Sequence, residues 1–295
     1  MVKHFLEIDD LTVDEITEIL DRAESNDVNQ ILKRKSVVLL FEKPSSRTRQ
    51  SMENAVVQLG GNSIYVRPDE TGIDERESAE DVAKTLSLFD VAIAARVFDH
   101  SKLTRMANAS SVPVINLLSD QTHPIQTLAD LLTLRQSLKK KKKLKVSYIG
   151  DPNNVSRPLA IALNMFGNTL NLSHPKGYGL SASDLNKFES GNVKVNLVDD
   201  PKLAAENADV IYTDTWYSMG QEDQKDQRVK DFKDYQINSE LMSRANAEAI
   251  FMHCLPAHRG LEVTDEVIDG PQSVVWKQAE NRMHTARGLL SYLCE

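Results

Sequence analysis

The stretch Ser36–Gly61, SVVLLFEKPSSRTRQSMENAVVQLGG, decides how the chain is read. Ser36 to Phe41 is an uncharged, mostly branched aliphatic run and predicts a buried strand. Beyond Pro44, Met52, Ala55, Val56 and Leu59 recur at i, i+3, i+4 and i+7, so a helix is expected from near Arg47 to Gly60. A strand running straight into a helix is the building step of a parallel α/β sheet. Ser45, Ser46, Arg47 and Thr48 then lie at a helix N-terminus. Free backbone N–H groups and the positive end of the dipole favour an anion there, and hydroxyls and guanidinium groups add to the attraction. The competing role for Ser45 or Ser46 is a plain helix cap. Neither a Walker loop nor a GxGxxG loop is present, which argues against ATP or a dinucleotide.

Outward from this stretch the same alternation continues. A helix pattern at Val13 to Ala23 comes before it, and strand-like runs follow at Asn62 to Val66, Val91 to Arg96 and Val112 to Ile115. After the lysine run Lys139 to Lys143 come strand-like runs at Leu144 to Ile149, Thr169 to Ser173, Val193 to Val198, Asp209 to Thr213 and Ala249 to Met252. The fold class expected is α/β, with two doubly wound parallel-sheet domains joined by helices. The lysine run reads as a solvated connector beside the boundary, which gives domains of about 1–133 and 134–276. A last helix pattern covers Gln278 to Leu293; from the pattern alone it either finishes the second domain or returns to the first.

With 295 residues the chain is long enough for two ordinary cores, and 41% hydrophobic with 26% charged residues is a globular composition. A net charge of -8 argues against nucleic acid as the main partner. No run approaches the roughly 18 apolar residues needed to span a bilayer, and the first residues match neither a signal nor a transit pattern, so no membrane partner and a cytoplasmic location are expected. Cys254 and Cys294 lack ligand spacing, so neither a disulfide framework nor a structural metal is expected.

Further candidates stand where strands end, the edge at which doubly wound sheets collect ligands. Arg96 closes one run and is costly to bury without an anion. In THPIQTLADLL, His123 and Gln126 are three apart and share a helical face. GDPNNVSRP and DTWYSMGQE place Asn154, Asp214 and Ser218 after two later strands, a set suited to the α-amino and α-carboxylate groups of an amino acid, though each also serves as an ordinary turn residue. HCLPAHRG carries Cys254, with Pro256 suggesting a rigid loop that presents backbone carbonyls.

Taken together these motifs resemble the aspartate and ornithine carbamoyltransferase family over essentially the whole length. FEKPSSRTR, ARV and HPIQTLADLLT look like its carbamoyl-phosphate motifs, while GDPNNV, PKGY, DTWYSMGQE and HCLPAHRG are similar to its ornithine-using members. The chain departs from the usual pattern at Ser46, where Thr is commoner, and at Pro152 and Ser156-Arg157-Pro158.

The resemblance implies carbamoyl transfer from carbamoyl phosphate to the δ-amino group of L-ornithine, without a cofactor. It implies that Ser45, Ser46, Arg47, Thr48 and Arg96 hold the phosphate, with Arg282 a further donor ligand. Thr48, Arg96 and His123 would polarise the carbamoyl oxygen, and Gln126 with the carbonyls of Cys254 and Leu255 would bind the carbamoyl NH2. Asn154, Asp214, Ser218 and the Met219 backbone would hold ornithine, with Cys254 orienting the amine and relaying its proton. The resemblance also implies that the last helix, 277–295, completes the first domain, that the donor binds first and the domains then close, and that the chain forms a homotrimer or an assembly of trimers. Two alternatives remain: transfer to another amine such as putrescine or an N-acylated ornithine, and a silent carbamoyl-phosphate-binding relative. SMG after Asp214 and HCLP favour ornithine, and retention of Arg47, His123, Asp214 and Cys254 disfavours silence.

Overall fold

A computed structural model of the chain describes residues 2–139, 141, 143–217 and 222–295. It divides into two compact units, Met1–Leu132 with Glu280–Glu295, and Thr133–Ala279.

In the first unit four parallel strands, β1 (Ser36–Phe41), β2 (Asn62–Val66), β3 (Ile93–Arg96) and β4 (Val114–Leu118), form a sheet of order β2-β1-β3-β4. Val37 to Phe41 are fully buried, as a strand covered on both faces requires. The chain leaves β1 toward β2 on one side and returns toward β3 on the other. A crevice therefore opens at the carboxyl ends of β1 and β3, where Phe41 pairs with Arg96. The helix expected near Arg47 spans Ser46–Gln58 and buries Met52, Ala55 and Val56 against the sheet.

The last helix runs Val275–Cys294, and from Glu280 onward it belongs to this first unit. Gly288 explains the close approach: a Cβ there would stand 2.4 Å from the carbonyl oxygen of Ile19 in the helix Val13–Glu24. One residue earlier, Arg287 Nη2 donates to the carbonyls of Ala23 (2.7 Å) and Ser25 (2.9 Å), satisfying orphan acceptors at that helix's end.

The second unit has five parallel strands, β5 (Lys145–Ile149), β6 (Thr169–Ser173), β7 (Val195–Leu197), β8 (Val210–Thr213) and β9 (Ile250–His253), in the order β7-β6-β5-β8-β9. Its topological switch lies between β5 and β8. Gly150, at φ +146°, makes the turn out of β5; a Cβ there would be 2.9 Å from Thr213 Oγ1. Among the described residues no helix is long and apolar enough to cross a membrane.

Candidate active site

In the first unit, Ser45 is the N-cap of Ser46–Gln58, its hydroxyl accepting from the Thr48 N–H at 3.4 Å. The cap role is realised, and it leaves the anion-site role open, because the cap engages only the Thr48 N–H of the first turn. Ser46 and Arg47 are exposed, while Thr48 is buried. Arg49 is engaged elsewhere, paired with Glu53 and lying 3.8 Å from the Tyr65 ring centroid.

Thr48 is the hub of a buried polar cluster. Its Oγ1 accepts from Arg282 Nη2 at 2.7 Å and, at the outer limit of 3.5 Å, from Arg96 Nη1. Arg282 Nη1 donates to Gln126 Oε1 at 2.8 Å, and Gln126 Nε2 donates to Asp130 Oδ1 at 2.9 Å. The last bond fixes the amide orientation, with nitrogen toward the carboxylate and oxygen toward the guanidinium. Arg96 Nε and His123 Nδ1 are buried with no hydrogen-bond partner among the described residues.

The electrostatics have one sign. Burial, then the charges of Arg282 and Arg47, push Arg96 down to about 10. Burial, then Arg282 and Arg96, hold His123 well below the usual imidazole range, so its ring is neutral at physiological pH. Crowded buried cations are costly in isolation and become favourable when an anion enters. A neutral imidazole beside them presents one N–H to a carbonyl oxygen.

In the second unit the residues meet at the β5/β8 switch. Asp214, just after β8, receives the Cys254 thiol on Oδ1 at 3.0 Å and the Asn153 amide on Oδ2 at 2.7 Å. Asn153 Oδ1 in turn accepts from the backbone N–H of Val155 at 2.9 Å and of Ser156 at 3.3 Å. Asn153 was absent from the sequence candidates, which named its neighbour Asn154; the doubled Asn was the signal, and only geometry separates the two. Asn154 is half-buried in the same turn. Ser218 and Met219 lie outside the described residues.

The HCLP segment is held from beneath. His253 Nδ1 accepts from the Leu255 N–H at 2.9 Å, so Nε2 carries the proton and donates to the fully buried Glu262 at 3.2 Å. Leu255 sits at φ +59° and is joined to Pro256 by a cis peptide. Sequence reading missed Glu262, which lies nine positions from its partner. Asp214, His253 and Cys254 also bring three ligand-type atoms within 4.8 Å of one another. With both His253 nitrogens hydrogen-bonded, that trio reads as an acid–thiol pair beside a committed imidazole rather than a metal centre.

Two family models match the chain in succession. Residues 3–136 match the family model of the aspartate/ornithine carbamoyltransferase carbamoyl-P binding domain, and residues 142–293 match that of the Asp/Orn binding domain. An ornithine carbamoyltransferase of Caldicellulosiruptor saccharolyticus is 43% identical, covering 99% of both chains. One of Methanococcus maripaludis is 45% identical, covering 96% of both. The solved ornithine carbamoyltransferase of Pyrococcus furiosus superimposes with a TM-score of 0.92 at 40% identity, covering 98% of this chain and 96% of its own. Matched along nearly its whole length in sequence and in fold, the chain belongs to the aspartate/ornithine carbamoyltransferase family.

Proposed function

We propose that the chain transfers the carbamoyl group of carbamoyl phosphate to the δ-amino group of L-ornithine, giving L-citrulline and phosphate. The observation that carries the donor half is the convergence of Arg96, Arg282 and Thr48 on one buried point beside neutral His123. In this reading the unit Met1–Leu132 with Glu280–Glu295 takes the donor, and the unit Thr133–Ala279 takes the amine.

Ser45, Ser46, Arg47, Thr48 and Arg96 grip the phosphate, assisted by Arg282. Arg96, Thr48 and His123 face the carbamoyl oxygen, and Gln126 accepts from the carbamoyl NH2, as do the carbonyls of Cys254 and Leu255. The Asp214 carboxylate balances the α-ammonium of ornithine, with Asn154, Ser218 and Met219 completing the hold. The neutral δ-amine attacks the carbonyl carbon, and negative charge grows on its oxygen. Donors aimed at that oxygen stabilise the transition state more than the ground state. Collapse breaks the C–O bond to phosphate, and the nitrogen gives up a proton on a path through Cys254 to the departing phosphate.

Ornithine rather than a plain diamine is supported by SMG after Asp214, by HCLP at Cys254, and by relatives at 43% and 45% identity that are ornithine carbamoyltransferases. A citrulline-type assay with L-ornithine, putrescine and N-acetylornithine tests this: equal or better turnover of putrescine would overturn the choice. Arg47→Ala supplies the internal check, because an exposed residue at a helix start changes stability by only about 0.5 kcal/mol. Turnover should fall at least about a hundredfold while melting stays put.

A homotrimer in the cytoplasm completes the reading. Support beyond the family comes from β2, an edge strand with Ile64 exposed, and from Val57, exposed on the helix that precedes it. Light scattering in solution should give three times the chain mass of 33.1 kDa, or a multiple of that.

A further inference from the structure

Two loops carry the acceptor residues, one after β5 with Asp151, Asn153 and Asn154, the other after β8 with Asp214 and Trp216. They leave the sheet on opposite sides of its topological switch, and backbone pairing between β5 and β8 ends at Tyr148 and Tyr212. Beside the Asn153–Asp214 hydrogen bond, a buried side chain ties them. Arg228, in the helix Lys225–Asp231, donates through Nη1 to Asp151 Oδ2 at 2.9 Å and to the Trp216 carbonyl at 2.9 Å. Its Nε donates to Gln224 Oε1 at 3.2 Å. The guanidinium also lies 5.0 Å from the ring centroid of Tyr178, which follows β6, and the Tyr178 hydroxyl donates to Asp231 at 2.8 Å.

We infer that Arg228 is the positioning residue of the acceptor site, cross-linking the loops after β5 and β8 so that Asn153 and Asp214 meet in the geometry that receives the amine. The inference rests on the ornithine reading given above. Arg228 itself touches no reacting atom; it acts through Asp151 and the Trp216 backbone. Two carboxylates, Asp151 and Asp214, stand near one another at the switch. Burial, with Asp214 adding to it, raises Asp151, and the Arg228 charge opposes that rise. Without Arg228 the buried Asp151 either takes up a proton or remains an unpaired anion, and either state rearranges the turn that holds Asn153. The planar fork is needed because one group serves a carboxylate, a carbonyl and an amide at once; a lysine offers the charge without the fork.

Steady-state kinetics on the full chain with Arg228→Met and Arg228→Lys test this. The Met variant should raise KM for L-ornithine on the order of tenfold to a hundredfold, the Lys variant less, and KM for carbamoyl phosphate should stay within about twofold in both. An ornithine KM that does not move, or parallel rises for both substrates, overturns the inference, since a general loosening would act on both. Should the Met variant fail to fold, the Lys variant is judged by the same split. The parent enzyme in the same assay separates the two levels. A parent inactive with ornithine counts against the function; an active parent with unaltered variants counts against Arg228 alone.

Discussion

Arg282 Nη2 and Thr48 Oγ1 are 2.7 Å apart, a hydrogen bond between residues 234 positions apart in sequence. It joins the last helix to the first turn of the helix Ser46–Gln58, and it holds the Thr48 hydroxyl in a fixed orientation before any substrate arrives.

Thr48→Val should therefore hurt twice, by removing the hydroxyl and by leaving a buried guanidinium short of an acceptor. The expected loss in kcat is about 10²- to 10³-fold with a rise in KM for carbamoyl phosphate, largely recovered in Thr48→Ser. Citrulline formation under steady state measures it, and a fully active Val variant would refute the role assigned to Thr48.

His123 should show in stability against pH. Its folded pKa lies well below the ordinary value of 6.5, so between the two the unfolded chain binds a proton that the folded chain does not. Stability then rises with pH across that window and is progressively lost as pH falls below about 6.5. Urea melts should show a shallower acid-side decline in His123→Asn than in the parent. In the kinetic pH profile, no limb near 6.5 should disappear with this substitution.

Cys254 donates to Asp214, which suits an orienting and relaying thiol. Cys254→Ala should retain measurable turnover with a raised KM for ornithine, a loss of roughly 10- to 10³-fold rather than abolition. Mass spectrometry of the parent mixed with carbamoyl phosphate should find no covalent adduct; a carbamoylated Cys254 would overturn the assignment.

Gly288→Ala tests the seat of the last helix. With its added Cβ 2.4 Å from the Ile19 carbonyl, the helices must part, at a cost of about 1–3 kcal/mol in chemical unfolding. An unchanged midpoint would mean that the two helices do not approach so closely.

Much of this architecture is written locally. The pattern Met52, Ala55, Val56 announced the helix Ser46–Gln58 because burial against a sheet demands that spacing, and the strand runs of both units follow from their own apolar runs. The residues of the first unit's polar cluster were legible as motifs, yet the sequence did not reveal that Thr48 would be their meeting point, since Arg96, Gln126 and Arg282 arrive from distant segments. The path of the last helix was open for a similar reason. Its amphipathic stripe fits any apolar surface, and the choice depends on a close approach at Gly288 that a pattern of apolar residues does not encode. Asn153, Glu262 and Arg228 were missed because a turn Asn, a buried Glu and a helical Arg each look ordinary until their partners are known.

The crowding of Arg47, Arg96 and Arg282 around an uncharged imidazole has a consequence outside catalysis. Like-charge repulsion in the first unit is relieved by a bound oxyanion, which returns it as folding free energy by an amount that grows with ligand concentration. In the proposed function that oxyanion is the donor, so resistance to unfolding, and with it to proteolysis, would be indexed to donor supply.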